Sequence, residues 1–370
     1  MYNVLTLNKI AACGTDLLDK SKYTVTDDAA ANADAILVRS ASMHEMELPG
    51  NLLAIARAGA GVNNIPIDKC TEKGVVVFNT PGANANAVKE LVIAGLLLSS
   101  RKIPAAMDWI KTLKGKGDEV GKLVEKGKSQ FVGPEIMGKK LGVIGLGAIG
   151  ILVANAAAEL GMDVYGADPY LSVENALKLS GKVHYVKSNK EIFEKCDYIT
   201  LHVPALPDTK GMINAEAIAS MKKTVRLLNF ARDTLVDEKA IIDALANGGM
   251  ACYVTDFATD GLIGLDGVVA MPHLGASAPE GEDIYAVMAV REIVDYIENG
   301  NIRNSVNLPN VEMAISGNAK ICVIHKNAEG LLNNITAPVS AAGLNIENMV
   351  SKSKKDYAYT CLDVKGDASG

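Results

Sequence analysis

The hexapeptide Gly145-Leu146-Gly147-Ala148-Ile149-Gly150 constrains this chain more than any other feature. Glycine-rich hexamers occur by chance, so the weight comes from context. The motif follows the apolar run Leu141–Ile144 directly, and it opens a stretch with Ile149, Val153, Ala156 and Leu160 on one helical face. A second β-rich run ends eighteen residues after Gly150, at Asp168. Strand, tight turn, helix, strand and acid in this order are what a dinucleotide-binding βαβ unit requires. Gly145 permits the turn, Gly147 lets a pyrophosphate approach the backbone, and Gly150 lets the helix pack on the strand. Free N–H groups at the helix start bind phosphate oxygens. Asp168 can accept bonds from both ribose hydroxyls and repels a 2′-phosphate, which predicts NAD rather than NADP.

The unit does not stand alone. Asn3–Leu7, Asp34–Val38, Leu53–Ala58 and Val75–Asn79 read as buried strands, each followed by a helix-like segment. Asn84–Arg101 is the strongest of these helices, with Val88, Leu91, Val92, Leu96 and Leu97 spaced for one face. A second series comprises Lys140–Ile144, Asp163–Ala167, Tyr198–Val203, Thr224–Phe230, Ala251–Asp256 and Val268–Met271. Strands alternating with helices indicate parallel sheets, and two series in 370 residues predict two doubly wound α/β domains. The helix Glu280–Glu298 stops at Asn299-Gly300. Asn304–Asn310 reads as a polar linker, and beyond it a strand, helix, strand, strand pattern (Ala319–His325, Gly330–Ala341, Asn345–Lys352, Tyr357–Val364) reads as a separate small domain.

Composition narrows the partners. A net charge of −6 argues against a nucleic-acid surface, and the Lys-rich stretch from Lys114 to Lys128 is broken by Asp118, Glu119 and Glu125, as a solvated loop would be. The six cysteines show no C-x-x-C pair and read as reduced thiols of a cytoplasmic protein. The five histidines lack metal-ligand spacing, so no metal is expected. The Met-Tyr-Asn start has no charged-then-apolar leader, and apolar runs are too short to span a bilayer.

Oxidation of an alcohol by hydride transfer needs a base for the hydroxyl proton and a cation for a carboxylate or carbonyl. Arg232, in Asn229-Phe230-Ala231-Arg232-Asp233, follows a buried strand, where open α/β sheets bind ligands. His273, in Met271-Pro272-His273-Leu274-Gly275-Ala276-Ser277, also follows a strand end. Taken singly, each has a plain reading as a surface charge or a structural imidazole.

Six pieces in order change that weighting: Arg57-Ala58-Gly59-Ala60-Gly61-Val62-Asn63-Asn64, Asn79-Thr80-Pro81-Gly82, the glycine turn with Asp168, Leu201-His202-Val203-Pro204, Asn229–Val236 and Pro272–Ser277. In that order, across about 300 residues, the chain resembles the D-isomer-specific 2-hydroxyacid dehydrogenases. Val38-Arg39-Ser40-Ala41 and the small C-terminal module resemble the branch that oxidises 3-phospho-D-glycerate to 3-phosphooxypyruvate.

The resemblance implies a flavodoxin-like substrate domain (1–97 and 275–305), a Rossmann NAD-binding domain (98–274) and an ACT-like α+β module (317–370). It implies that His273 is the acid/base and Arg232 the carboxylate and carbonyl anchor. Around the cofactor it places Gly145, Gly147, Ala148, Ile149, Gly150, Asp168, Pro169, His202, Val203, Pro204, Asn229, Ala231, Asp256 and Gly275. For the substrate it implies backbone N–H groups of Ala60, Gly61 and Val62 on the carboxylate, and Arg57 and Arg39 on the phosphate, since arginine suits bidentate phosphate contacts. Family members pair the histidine with a glutamate. Here Asp256-Phe257-Ala258-Thr259-Asp260-Gly261 puts glycine in that slot, and Asp260 is the expected substitute.

In the module, His325-Lys326-Asn327-Ala328-Glu329-Gly330-Leu331 and Gly343-Leu344-Asn345-Ile346 look like the start of an ACT domain. The resemblance makes His325, Asn327 and Asn345 candidate ligands for L-serine as effector, in a module that reads as incomplete after its third strand. It also implies a homo-oligomer, dimer or tetramer, with Arg101 to Pro134 as a contact segment. Two other readings are a hydroxypyruvate or glyoxylate reductase of the same family and a non-catalytic NAD-sensing protein. Arg39 and Arg57 argue against the first, and Arg232 with His273 against the second.

Overall fold

In a computed structural model, which describes residues 1–28, 32–275 and 277–366, contacts divide the chain into two compact units. One is Met1–Ala83 with Pro279–Gly370, the other Asn84–Ala278. Ala276 of the Pro272–Ser277 motif and residues 367–370 of the expected module lie outside the described residues. The four longest α-helices among the described residues are α1 (Ala85–Arg101), α2 (Ala148–Glu159), α3 (Pro279–Asn299) and α4 (Leu331–Ala341).

The first unit is built on β1 (Tyr2–Leu7), β2 (Tyr23–Thr26), β3 (Ala35–Val38), β4 (Ala54–Arg57) and β5 (Val76–Asn79), in the order β2-β1-β3-β4-β5. Every pairing is parallel. This is the flavodoxin-type order. β3 is buried along its whole length, as a central strand covered on both faces must be. β2 was not foreseen, because Tyr-Thr-Val-Thr is short and only its tyrosine is buried.

The second unit carries β6 (Lys140–Ile144), β7 (Asp163–Ala167), β8 (His184–Tyr185), β9 (Tyr198–Leu201), β10 (Arg226–Asn229), β11 (Cys252–Thr255) and β12 (Val268–Ala270). Their order, β12-β11-β10-β9-β6-β7-β8, reverses direction at β6, directly before the glycine turn. Doubly wound sheets bind ligands at such a switch point. The expected division at 97 falls at 83 by packing. α1 lays Val88, Val92 and Leu96 into the same core as Leu141, Val143 and Leu228, so it belongs with the second sheet. The Lys114–Lys128 stretch holds a helix, Val120–Gly127, rather than a loop, although none of that helix is buried.

Two further expectations need correcting in the first unit. Asn304–Asn310 is no linker: Ser305, Asn307 and Leu308 are buried, and Ser305 bridges to Phe78 on β5. Asn307 accepts from the Val77 N–H and donates to the Val75 carbonyl, covering an edge that would otherwise be unpaired. The C-terminal β-α-β-β module forms an antiparallel sheet, β13 (Ala319–Lys326), β14 (Asn345–Lys354) and β15 (Tyr357–Lys365), in the order β13-β15-β14. It is not separate. Tyr359 and Cys361 of β15 share a core with Phe78 and the inner side of α3, with Tyr296 placed 5.9 Å from Phe78 and 6.4 Å from Tyr359 by ring centroid.

Candidate active site

The turn after β6 is shaped by what cannot fit there. Gly145 adopts φ +94°, and a Cβ on it would stand 2.5 Å from the His202 carbonyl oxygen. A Cβ on Gly150 would lie 1.9 Å from the Gly145 carbonyl oxygen, so only glycine lets α2 seat on the strand. A Cβ on Gly147, by contrast, would meet nothing within 4 Å. The turn is open on the side a phosphate would approach, and α2 begins without a side-chain cap on its first-turn N–H groups.

Asp168 braces this turn. One carboxylate oxygen accepts from the Leu146 N–H and the other from the Tyr170 N–H, both at 2.8 Å. Each oxygen keeps an unused lone pair for a ribose hydroxyl. Ile149 and Val203 pack partly into the hydrophobic cores below, while Pro169 and Pro204 are exposed beside the turn. Burial pushes the His202 imidazole down to about 3, so it is neutral at any working pH, with its Nε2 3.0 Å from the Thr200 hydroxyl.

At the end of β10, Asn229 is fully buried and turned inward: its amide donates to the Arg232 carbonyl at 2.8 Å, and its Oδ1 accepts from the Ala231 N–H at 3.2 Å. The side chain thus fixes the turn that presents Arg232. Arg232 itself is exposed, and no carboxylate pairs with it among the described residues. One guanidinium nitrogen donates to the Ala231 carbonyl at 2.6 Å, and the remaining N–H groups of an exposed guanidinium at a strand end are what an incoming carboxylate needs.

The proton-handling half differs from expectation. His273 is exposed, and the edge of its ring meets Phe257 at 5.1 Å between centroids. Asp260 is exposed on its loop and has no hydrogen bond or ion pair with His273. The carboxylate that feels the His273 ring as a neighbour is Asp256, at the end of β11. Asp256 is 2% exposed, and its Oδ2 accepts from the buried Gly275 N–H at 3.3 Å, two residues past the histidine. Burial raises the Asp256 carboxyl above its ordinary value, and the neighbouring His273 offsets this only in part. Its Oδ1 is buried with no hydrogen-bond partner among the described residues. A buried orphan acceptor calls for a donor, and an amide N–H of a bound nicotinamide fits it.

In the first unit, the loop after β4 collects the expected substrate ligands. The N–H groups of Ala60, Gly61 and Val62 have no acceptor among the described residues. The loop is held by Asn79, which donates to the Ala60 carbonyl, and by Thr80, whose hydroxyl accepts from the Gly59 N–H at 2.7 Å. Arg57 is half-buried under it, its Nε donating to the Arg39 carbonyl at 3.1 Å, with no carboxylate partner among the described residues. Burial lowers its pKa from the usual value, with the Arg39 charge adding to the effect, as befits a cation awaiting an anion. Arg39 is different. It forms a salt bridge with Glu282 at 2.7 Å, a partner 243 positions away that nothing in the local pattern signals.

In the module, His325 and Asn327 line one groove of about 230 Å³, and Asn345 is not among its lining residues. Both ring nitrogens of His325 are engaged, with the Lys326 carbonyl at 2.8 Å and the Thr360 hydroxyl at 2.9 Å. Asn345 donates to Glu347 instead.

Comparison with known proteins points one way. A family model described as D-isomer specific 2-hydroxyacid dehydrogenase, NAD binding domain, matches residues 93–275. The D-3-phosphoglycerate dehydrogenase of Bacillus subtilis is 32% identical over 384 aligned positions, which take in 98% of this chain and 70% of that one. The protein of that name from Haemophilus influenzae is 33% identical over 337, with 88% and 78% covered. The one from Methanocaldococcus jannaschii is 35% identical over 323, and the chain spans only 59% of its length. Among solved structures, NAD⁺-bound 3-phosphoglycerate dehydrogenase of Entamoeba histolytica superposes with a TM-score of 0.63 at 26% identity, over 83% of this chain and 98% of that one.

Proposed function

Since the chain belongs to the D-isomer-specific 2-hydroxyacid dehydrogenases, we propose that it oxidises 3-phospho-D-glycerate to 3-phosphooxypyruvate with NAD⁺, the opening step of phosphorylated L-serine synthesis. The observation that carries the substrate is Arg57, a half-buried guanidinium without a carboxylate partner among the described residues, beside three unpaired backbone N–H groups. A phosphorylated hydroxy acid offers an anion for each.

NAD⁺, when bound, accepts the hydride. The rest is the work of this chain. Arg232 holds the substrate carboxylate and the oxygen that becomes a carbonyl, and Asn229 keeps the Arg232 backbone in place. His273 takes the hydroxyl proton on a ring nitrogen as the carbonyl forms. Phe257 limits the tilt of that ring, and Asp256 ties the strand end to the loop that follows the histidine. Asp260, with no contact to His273, has no role in this scheme.

The deciding assay follows NADH formation with phosphoglycerate against glycerate. Phosphoglycerate is expected to be the better substrate, and replacing Arg57 with Met is expected to erase that preference by about tenfold to a hundredfold, the worth of one or two charge-assisted bonds. Equal rates with both acids in the parent enzyme would favour the hydroxypyruvate or glyoxylate reductase reading. Arg39 is a lesser contributor, since a phosphate must first displace Glu282.

For the cofactor, Asp168→Asn keeps an acceptor for the turn and removes the charge. The ratio of kcat/KM with NADP⁺ to that with NAD⁺ is expected to rise by roughly tenfold or more. An unchanged ratio would mean that Asp168 only braces the turn.

L-serine is the proposed effector, through the groove holding His325 and Asn327. Assembly as a homo-oligomer is proposed through the 101–134 segment, where Trp109, Ile110, Phe131 and Val132 line an apolar groove of about 840 Å³. A cytoplasmic setting accords with a site that uses NAD. Among the described residues no helix is long and apolar enough to cross a membrane.

A further inference from the structure

The C-terminal sheet holds a pair of thiols that the dehydrogenase chemistry does not use. Cys322 on β13 and Cys361 on β15 are direct cross-strand partners in the antiparallel ladder. Their sulfurs stand 3.6 Å apart, and both are free thiols. Residues opposite each other in an antiparallel pair have Cα atoms about 4.5 or 5.5 Å apart, and either spacing lies inside the range of about 4.4–6.8 Å that a disulfide spans. The register thus puts the two strands at a separation that a disulfide can span, with the sulfurs left to close from 3.6 Å.

The two sulfurs are not equivalent. Cys322 is exposed, whereas Cys361 is completely buried and places its sulfur 3.8 Å from the Gly300 carbonyl oxygen. The Cys361 thiol beside Cys322 holds the Cys322 thiol below its ordinary value, against the opposing effect of burial, and the Lys320 charge acts in the same lowering direction. The thiol of the exposed residue is thus the one more readily ionised, and the thiol of the buried residue sits where a resolving thiol must be. The pair also lies where β13 meets the end of α3. A Cβ on Gly300 would come 2.4 Å from the Cys322 sulfur, and the Tyr359 hydroxyl donates to the Gly300 carbonyl at 2.8 Å.

We propose that Cys322 and Cys361 are a peroxide-responsive modification site that closes to a reversible cross-strand disulfide, pinning β13 to β15 at the end of α3. The Cys322 thiolate attacks one oxygen of hydrogen peroxide, the O–O bond breaks, and the departing hydroxide leaves as water after taking the thiol proton. The Cys361 sulfur then attacks the resulting sulfenic sulfur, the S–O bond breaks, and a second water carries away the Cys361 proton. Two thiols are oxidised to one disulfide and one peroxide is reduced to two waters.

The test uses the full chain on a Cys13→Ser background, which removes the other exposed thiol and leaves five of the six cysteines. After brief treatment with hydrogen peroxide, quenching and alkylation in denaturant, two thiols are expected to be lost. A single cross-linked peptide carrying Cys322 and Cys361 should appear by mass spectrometry and vanish with a phosphine reductant. Adding Cys322→Ser should leave every remaining thiol alkylatable, while Cys361→Ser should leave a sulfenic acid at Cys322 that dimedone traps. Retention of all five thiols, or oxidation of Cys322 to sulfinic acid without the cross-linked peptide, overturns the proposal.

Discussion

Replacing His273 with Asn is expected to lower kcat for phosphoglycerate oxidation by about 10²–10⁴-fold, the usual worth of a positioned acid/base, while NAD⁺ binding stays unchanged. The separation follows from where the residue sits. Its side chain is exposed, meets Phe257 through a ring edge, and carries none of the hydrogen bonds that hold the cofactor turn. The turn is held instead by Asp168, and the loop after the histidine by Asp256 through the Gly275 N–H. Titration of NAD⁺ by fluorescence on the same preparation distinguishes lost chemistry from lost folding. A fall in kcat below tenfold would remove His273 from the role of base. Asp260→Asn serves as the contrast and is expected to leave kcat and its pH profile unaltered, because no contact joins that side chain to the histidine.

The second large effect concerns stability. Glu292, on the inner side of α3, is 8% exposed; its Oε1 accepts from Asn304 at 2.7 Å and its Oε2 has no partner among the described residues. Burial pushes its carboxyl up to about 8, only partly opposed by the Asn304 bond. A carboxyl whose folded-state pKa exceeds its unfolded one leaves the folded state holding more protons than the unfolded state. Its stabilising contribution is therefore complete below the ordinary glutamate value of 4.5 and is lost as pH rises toward about 8. The span corresponds to a few kcal/mol, at most about 5. Glu292→Gln imitates the protonated form and keeps the Asn304 bond. At pH 9 the variant should be more stable than the parent by an amount of that order, and near pH 4 the two should coincide. Denaturant melts across that range check it, and parallel pH dependences in parent and variant would refute it.

The parts of this molecule that could be read from the chain alone are local ones. The glycine turn is legible because its requirements are short-range. Gly145 needs positive φ, Gly150 needs the absence of a Cβ, and both sit at a spacing set by one strand and one helix. The central strands are legible for a similar reason, since burial on both faces leaves runs such as Ala35–Val38 with no polar residue. Where such a run is missing, the reading failed. β2 and β8 are short strands with few buried residues, and Asn304–Asn310 looks polar because its asparagine and serine satisfy the edge of β5 across more than 200 residues of sequence.

The same division runs through the site. Sequence alone determined that a dinucleotide turn, an acid at Asp168, an arginine at Arg232 and a histidine at Asp256's neighbouring strand end, His273, belong to one sheet. Each follows its own strand within a few residues, and strand periodicity is a nearest-neighbour property. Only the tertiary structure decided that Asp256 is the buried carboxylate near His273, that Arg39 is already paired with Glu282, that Arg57 has no carboxylate partner among the described residues, and that Cys322 touches Cys361. Those are contacts between side chains brought together by parallel crossovers and antiparallel register. Their partners are set by packing in three dimensions, which spacing along the chain does not encode.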